Sequence, residues 1–248
     1  MIYIIFISGI LIGSFLNTCI YGLPKRQSFT YLLFHCSSCG IEVKNHHIVS
    51  IINYIFLKGR CSHCNQRISW RYPLVEFLNG IIYVLMFINY GFSILFLNYA
   101  IISSILIVIS FIDYDYQIIP DKILLFGFLT NITLITLYNS LDYLFNGVLG
   151  LLLGGGILFV IAILTKGAMG GGDIKLMAML GMTFGPKYTL ITLLMSFIIG
   201  AIVSVMLLAT GKKERKDFIP FGPFISIAAV VTILYRDEIF NMYIDFIL

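Results

Sequence analysis

Apolar residues fall in long blocks along this chain, separated by short polar stretches that carry almost all the charge. Residues 1–21 form the first block and contain no Asp, Glu, Lys or Arg. A polar stretch from Pro24 to Arg71 follows. Apolar runs then resume at about 73–90, 93–112, 122–138, 143–165, 188–210 and 218–235, with a shorter one at 175–185. A bilayer's hydrocarbon core, about 30 Å thick, takes roughly 20 apolar residues as a helix, so each long run predicts a transmembrane helix. The first block lacks the basic start and the small-residue cleavage site of a signal peptide, which predicts a retained span. Many runs contain Gly and Asn, which suits helices that pack closely. Gly154-Gly155-Gly156 has no strand before it and no Lys after it, so it predicts helix packing and not a phosphate loop. No nucleic-acid partner is expected.

Composition removes the soluble alternatives. Hydrophobic residues make up 59% of the 248 and charged ones 11%, with a mean hydropathy of +0.98. A soluble globule carries about 25% charged residues, so this chain has too little polar surface to face water all round. Charge also orients the spans. With Pro24–Arg71 in the cytoplasm and every later run crossing once, the segments 113–122, 166–175 and 211–217 also fall inside. Fourteen of the 16 Lys and Arg then lie inside, and only Lys187 and Arg236 lie outside, as the positive-inside rule requires. The run at 175–185 is short, about 17 Å as a helix. Without its crossing, however, Lys212, Lys213, Arg215 and Lys216 would move outside. The expectation is an all-α polytopic membrane protein of about eight transmembrane helices with both termini outside.

Four of the five cysteines lie in the polar stretch, as Cys36-Ser37-Ser38-Cys39 and Cys61-Ser62-His63-Cys64, 21 residues apart. Each pair can form a tight knuckle, and two knuckles supply four thiolates in the tetrahedron that zinc takes. The basic residues put this segment in a reducing compartment, which disfavours disulfides. Four thiolates fill the shell and leave no open position, so the zinc is expected to be structural, a clasp for a segment too small to build much core. His35, His46, His47 and His63 lie near the cluster; with four thiols present, they are read as solvated or hydrogen-bonded. Cys19, in the first run, reads as a small buried apolar residue.

The chain has only 12 acids, so those at span edges are informative. Asp113 ends the run 101–112, and Asp173 closes Gly170-Gly171-Gly172-Asp173, a GxGD motif. The topology above puts both at the cytoplasmic edge, and ionisable groups at such depth mark function. Two close carboxylates in a poorly hydrated site share a proton. The ionised one can take a proton from a water attacking an amide carbonyl, while the protonated one polarises that carbonyl and later protonates the leaving amine. Glycines before Asp173 lack Cβ and would let an extended substrate strand approach. Plainer readings stand beside this one. Asp121 follows Pro120 and reads as a helix N-cap, as does Asp173 for a helix starting at Ile174. Asp115 is the rival to Asp113, whereas Asp142 lies on the opposite face and Asp217 in a charged loop. A proton- or cation-coupled transporter would also use buried acids, but it has no use for the cysteine segment.

Several motifs together carry a resemblance. They are Gly13-Ser14-Phe15-Leu16-Asn17 with Leu23-Pro24, the two CxxC pairs with Leu57-Lys58-Gly59-Arg60 before the second, and Ile68-Ser69-Trp70-Arg71-Tyr72-Pro73 with Glu76. Asp113 to Ile119-Pro120-Asp121, Gly170–Lys175 and Ile219-Pro220-Phe221-Gly222-Pro223 complete the set. In this order the chain resembles the type IV prepilin peptidases, membrane aspartic peptidases of the GxGD kind. The resemblance implies that Asp113 and Asp173 are the catalytic pair. It implies cleavage of the basic leader from prepilin or pseudopilin substrates at the cytoplasmic face of the bacterial inner membrane. It also implies N-methylation of the new N-terminus with S-adenosylmethionine, a step associated with the cysteine segment and with Gly59 and Arg60. The implied organisation is a first helix at 1–22, a cytoplasmic zinc-binding segment at 23–72 and a seven-helix peptidase domain at 73–248. The sequence departs from the family's pattern at Ser37, where Pro is common, at Gly22, where Arg is common, and at Arg60, which can be Lys. The excess of Lys and Arg faces anionic lipid, so a basic leader is expected to be met by acids such as Glu76 or Glu42.

Overall fold

The computed structural model describes residues 1–25, 54, 58–61, 63–137, 141–167, 169–214 and 218–247. Among them are seven helices: α1 (Ile2–Gly22), α2 (Arg71–Tyr90), α3 (Ile94–Tyr116), α4 (Asp121–Leu137), α5 (Leu141–Leu164), α6 (Gly171–Ala209) and α7 (Gly222–Ile247). Hydrocarbon offers no partner for backbone N–H and C=O groups, so runs rich in β-branched residues still become helices, where every such group is satisfied internally. Hydroxyls inside the runs bond back to the preceding turn, as Ser110 does to the Leu106 carbonyl at 2.8 Å and Thr133 to that of Leu129 at 2.8 Å.

The chain is an all-helical, multi-spanning membrane protein. Among the described residues, five helical segments are long and apolar enough to cross: α1, α2, α3, residues Asp142–Leu164 of α5, and α6. The eight expected runs all fall on these helices, with two of them sharing α6. The runs at 175–185 and 188–210 belong to one element, α6, which begins at Gly171 and is broken at Gly185. α4, at 17 residues, measures only about 26 Å.

The chain divides into two compact units, Met1–Ile112 and Asp113–Leu248. In the first, α1 and α2 run antiparallel at backbone contact. A Cβ on Gly9 would lie 2.7 Å from Gly80 Cα, and one on Gly13 would lie 2.6 Å from Glu76 Cα. Asn17 Nδ2 donates to the Tyr72 carbonyl at 3.0 Å. A polar chain links the three helices of this unit. Asn79 Nδ2 donates to the Gly9 carbonyl at 2.7 Å, Ser104 Oγ donates to Asn79 Oδ1 at 3.1 Å, and the Tyr83 hydroxyl lies 3.0 Å from Ser104 Oγ.

In the second unit, α6 doubles back. Gly185 has φ 71° and ψ 176°, a conformation open to glycine and strained for other residues. Pro186 follows, suited to the first turn of a new helix. The reversal is visible at Gly154 of α5, where an added Cβ would lie 2.6 Å from the Met177 carbonyl oxygen and 2.9 Å from Thr189 Cγ2. Twelve residues of unbroken helix would part Met177 and Thr189 by about 18 Å. The triple-glycine run therefore serves packing: Gly154 and Gly150 bring α5 onto the backbone of α6, with Gly150 against Gly181 and Gly185. After the reversal, α6 runs antiparallel to α7. Thr192 Oγ1 bonds Thr232 Oγ1 at 3.0 Å, and the Tyr188 hydroxyl donates to Asp237 Oδ1 at 2.6 Å. Lys187 Nζ sits 3.2 Å from the centre of the Phe240 ring.

Candidate active site

Asp113 stands in the last turn of α3 and Asp173 in the first turn of α6, both within the second unit. They are 6% and 7% exposed. Each has a glycine backbone beside it. The Gly222 N–H donates to Asp113 Oδ2 at 2.9 Å. It is available because the α7 ladder starts one carbonyl earlier: the Phe224 and Ile225 N–H groups both go to the Phe221 carbonyl. That leaves the Gly222 N–H among the unpaired donors of a helix N-terminus. The Asp173 carboxylate faces the Gly170 backbone and lies within electrostatic reach of Asp113. Asp113 Oδ1 takes no hydrogen bond among the described residues.

The capping reading of Asp173 is corrected by the local geometry. The N-cap of α6 is Gly170, extended at φ −69° and ψ 140°, and Asp173 is the third helical residue. Of the three glycines, Gly170 lies against the Asp173 carboxylate, whose Oδ2 would be 3.1 Å from an added Cβ. Gly172 is pressed on Ile119, with 2.9 Å between an added Cβ and Ile119 Cβ. Gly171 has nothing within 4 Å and is the one that leaves room for another chain.

Asp121 is also not the expected cap. It is the first residue of α4, whose early N–H groups at Ile123 and Leu124 bond the Pro120 carbonyl. Its carboxylate instead pairs with Lys175 at 2.7 Å. Asp115 is exposed where Asp113 is buried, and Asp142 is exposed in the first turn of α5. Sequence reading named the acids but assigned no role to Gly222, Ile119 or Lys175. For Gly222 the available signal was a glycine between Phe221 and Pro223 just ahead of a helix.

The second cysteine pair sits on a tight turn. Cys61 N–H bonds the Gln66 carbonyl at 2.9 Å, Asn65 N–H returns to the Cys61 carbonyl at 3.0 Å, and Arg60 bridges Arg67. Gly59, at φ 68°, supports this turn: its N–H bonds the Tyr54 carbonyl and its carbonyl takes the Ile68 N–H, each at 2.8 Å. A Cβ there would come within 3.0 Å of the Tyr54 ring. Cys64 and His63 are exposed, Cys61 and Cys19 half-buried. Cys36 and Cys39 lie outside the described residues, as do His35, His46, His47, Glu42 and Asp217. Among the described residues no three of His, Cys, Asp or Glu gather as a metal group. Glu76 is fully buried against Gly13 in the first unit.

Comparison with known proteins agrees with this arrangement of parts. Residues 7–90 match the bacterial peptidase A24 N-terminal domain, and residues 100–205 match the type IV leader peptidase family. The prepilin leader peptidase/N-methyltransferase of Bacillus subtilis (strain 168) is 32% identical, over 98% of this chain and 98% of its own length. The protein of that name from Pseudomonas putida is 33% identical, over 94% and 90%, and that from Neisseria gonorrhoeae is 28% identical, over 94% and 90%. No solved structure matches the chain. Two consecutive family matches and relatives aligned over nearly the whole length leave one assignment: the chain belongs to the type IV leader peptidase family.

Proposed function

We propose that this peptidase cuts the short basic leader from prepilins or pseudopilins at the cytoplasmic face of the bacterial inner membrane, using Asp113 and Asp173 as its acid pair. The observation that carries the reading is the pair itself: two buried carboxylates within electrostatic reach, with Asp113 held by the Gly222 N–H and Asp173 set against the Gly170 backbone. Sharing one proton, they divide the work of hydrolysis. The ionised carboxylate takes a proton from the attacking water, and the protonated one polarises the scissile carbonyl and then hands its proton to the leaving amine. Gly171 gives the substrate backbone room beside the acids.

The same protein then methylates the new N-terminal amine. S-adenosylmethionine would supply the methyl group, with Gly59 and Arg60 in the region that serves the transfer. Zinc fits the chemistry of the cysteine segment, because Cys61 opens a turn closed by hydrogen bonds to Asn65 and Gln66 that carries Cys64 within it. With Cys36 and Cys39 they would hold the ion as a structural clasp. We assign methyl transfer to 23–72 and cleavage to 73–248, on eight crossings with both termini outside.

The test is conversion of a prepilin by the purified full-length protein in detergent, with labelled S-adenosylmethionine present. Wild type should yield a shortened, labelled product, and Asp113→Ala and Asp173→Ala should each leave the precursor uncut. Full cleavage by both variants would overturn the assignment of the acids. A cut but unlabelled product would remove methyl transfer alone.

A further inference from the structure

We infer that Gly222 is a positioning residue for hydrolysis: its N–H holds Asp113 by Oδ2, and its missing Cβ is the space that carboxylate occupies. The inference rests on the peptidase reading above. Two separate measurements on one residue carry it. The N–H to Oδ2 distance is 2.9 Å in a buried setting, and a Cβ built on Gly222 would fall 2.6 Å from the same Oδ2 and 3.1 Å from Asp113 Cγ. The backbone here is not in the left-handed region, since Gly222 is not among the positive-φ glycines. Conformational freedom therefore does not explain the glycine, and the carboxylate does.

Fixing Oδ2 leaves Asp113 Oδ1, which takes no hydrogen bond among the described residues, as the oxygen turned to the reaction. Restoring ordinary contact, which begins at 3.4 Å, would move the carboxylate by about 0.8 Å. A misplacement of about 1 Å can cost on the order of 100-fold in rate. The loss should fall on turnover, because neither Gly222 nor the displacement alters the open side of Gly171, where the substrate backbone has room.

The experiment compares wild type, Gly222→Ala and Gly200→Ala, each purified at full length and assayed on a prepilin. Gly200 of α6 packs on the start of α7 beside Gly222, but an added Cβ there meets side chains, 3.1 Å from Phe224 and 3.4 Å from Phe221. Gly222→Ala should lower kcat about 100-fold with KM within about twofold of wild type, and its melting temperature should match that of Gly200→Ala. Gly200→Ala should keep kcat within about threefold, since its neighbours are flexible ring edges. Wild-type kcat in Gly222→Ala overturns the inference and leaves the peptidase reading intact. So does an equal loss in Gly200→Ala, or a loss in Gly222→Ala that tracks a fall in melting temperature. A wild-type protein that leaves the prepilin uncut removes the peptidase reading first and this inference with it.

Discussion

Two buried polar groups, one in each unit, are served in opposite ways. In the first, Asn79, Ser104 and Tyr83 are linked to one another, and the chain of bonds ends on the Gly9 carbonyl. Donors meet acceptors within the protein, so the group is a fastener between helices. In the second, Asp113 takes one backbone N–H, from Gly222, and Asp173 faces the Gly170 backbone, although a carboxylate can accept about four hydrogen bonds. A side chain that is bonded out holds helices together, whereas one left with spare lone pairs in a buried place can bind water and move protons. The contrast separates structural polarity from chemical polarity within one apolar chain.

Substitutions sharpen that contrast, and the largest effect belongs to the acids. Asp113→Ala or Asp173→Ala should cut prepilin turnover by about 1000-fold or more, the scale of a lost general acid or base. The melting temperature in detergent should fall only modestly, for Asp113→Ala by the loss of one hydrogen bond to the Gly222 N–H. A steep fall in melting temperature would mean that the acids are fasteners too. Next comes Gly150→Val, which drives a side chain into the backbone of α6 at Gly181 and Gly185. Overpacking of this kind costs roughly 1–3 kcal/mol, to be read as earlier thermal unfolding.

Asn79→Leu breaks the polar chain of the first unit. Interhelical hydrogen bonds inside membranes average only about 0.6 kcal/mol, reaching about 2, so stability should drop modestly while kcat on prepilin holds. Loss of activity without loss of stability would give this network a chemical role and erase the distinction. The smallest effect is expected from Lys175→Ala. Its partner Asp121 is 72% exposed and Lys175 itself 56%, and exposed pairs are worth about 0–1 kcal/mol. Unfolding midpoints at low and high salt should agree closely with wild type.

Much of this was legible in the sequence because the bilayer allows few solutions. Long apolar runs had to be helices, and acids are rare enough that Asp113 and Asp173 stood out. Side-chain chemistry leaves a signature in letters, but backbone chemistry does not. The Gly222 N–H is identical to every other amide along the chain, so nothing in the sequence assigned it to Asp113. The same holds at Asp121 and Asp173, both read as caps. Pro120 and Gly170 take the capping positions through their carbonyls, which frees the two acid side chains for other partners. The start of α6 at Gly171, four residues ahead of the expected run, follows from this, since glycines carry no hydropathy signal of their own.

The reversal at Gly185 has a consequence for the lipid. Asp173 rides on a helical stub of fourteen residues, 171–184, whose length is about 21 Å against a hydrocarbon layer of about 30 Å. Its two ends cannot reach both headgroup layers of an undeformed bilayer, so the surrounding lipid must pinch inward or the stub must stay within one side. Either way the depth of Asp173 depends on how the lipid meets this stub. The thickness of the host membrane thereby becomes a variable of the enzyme.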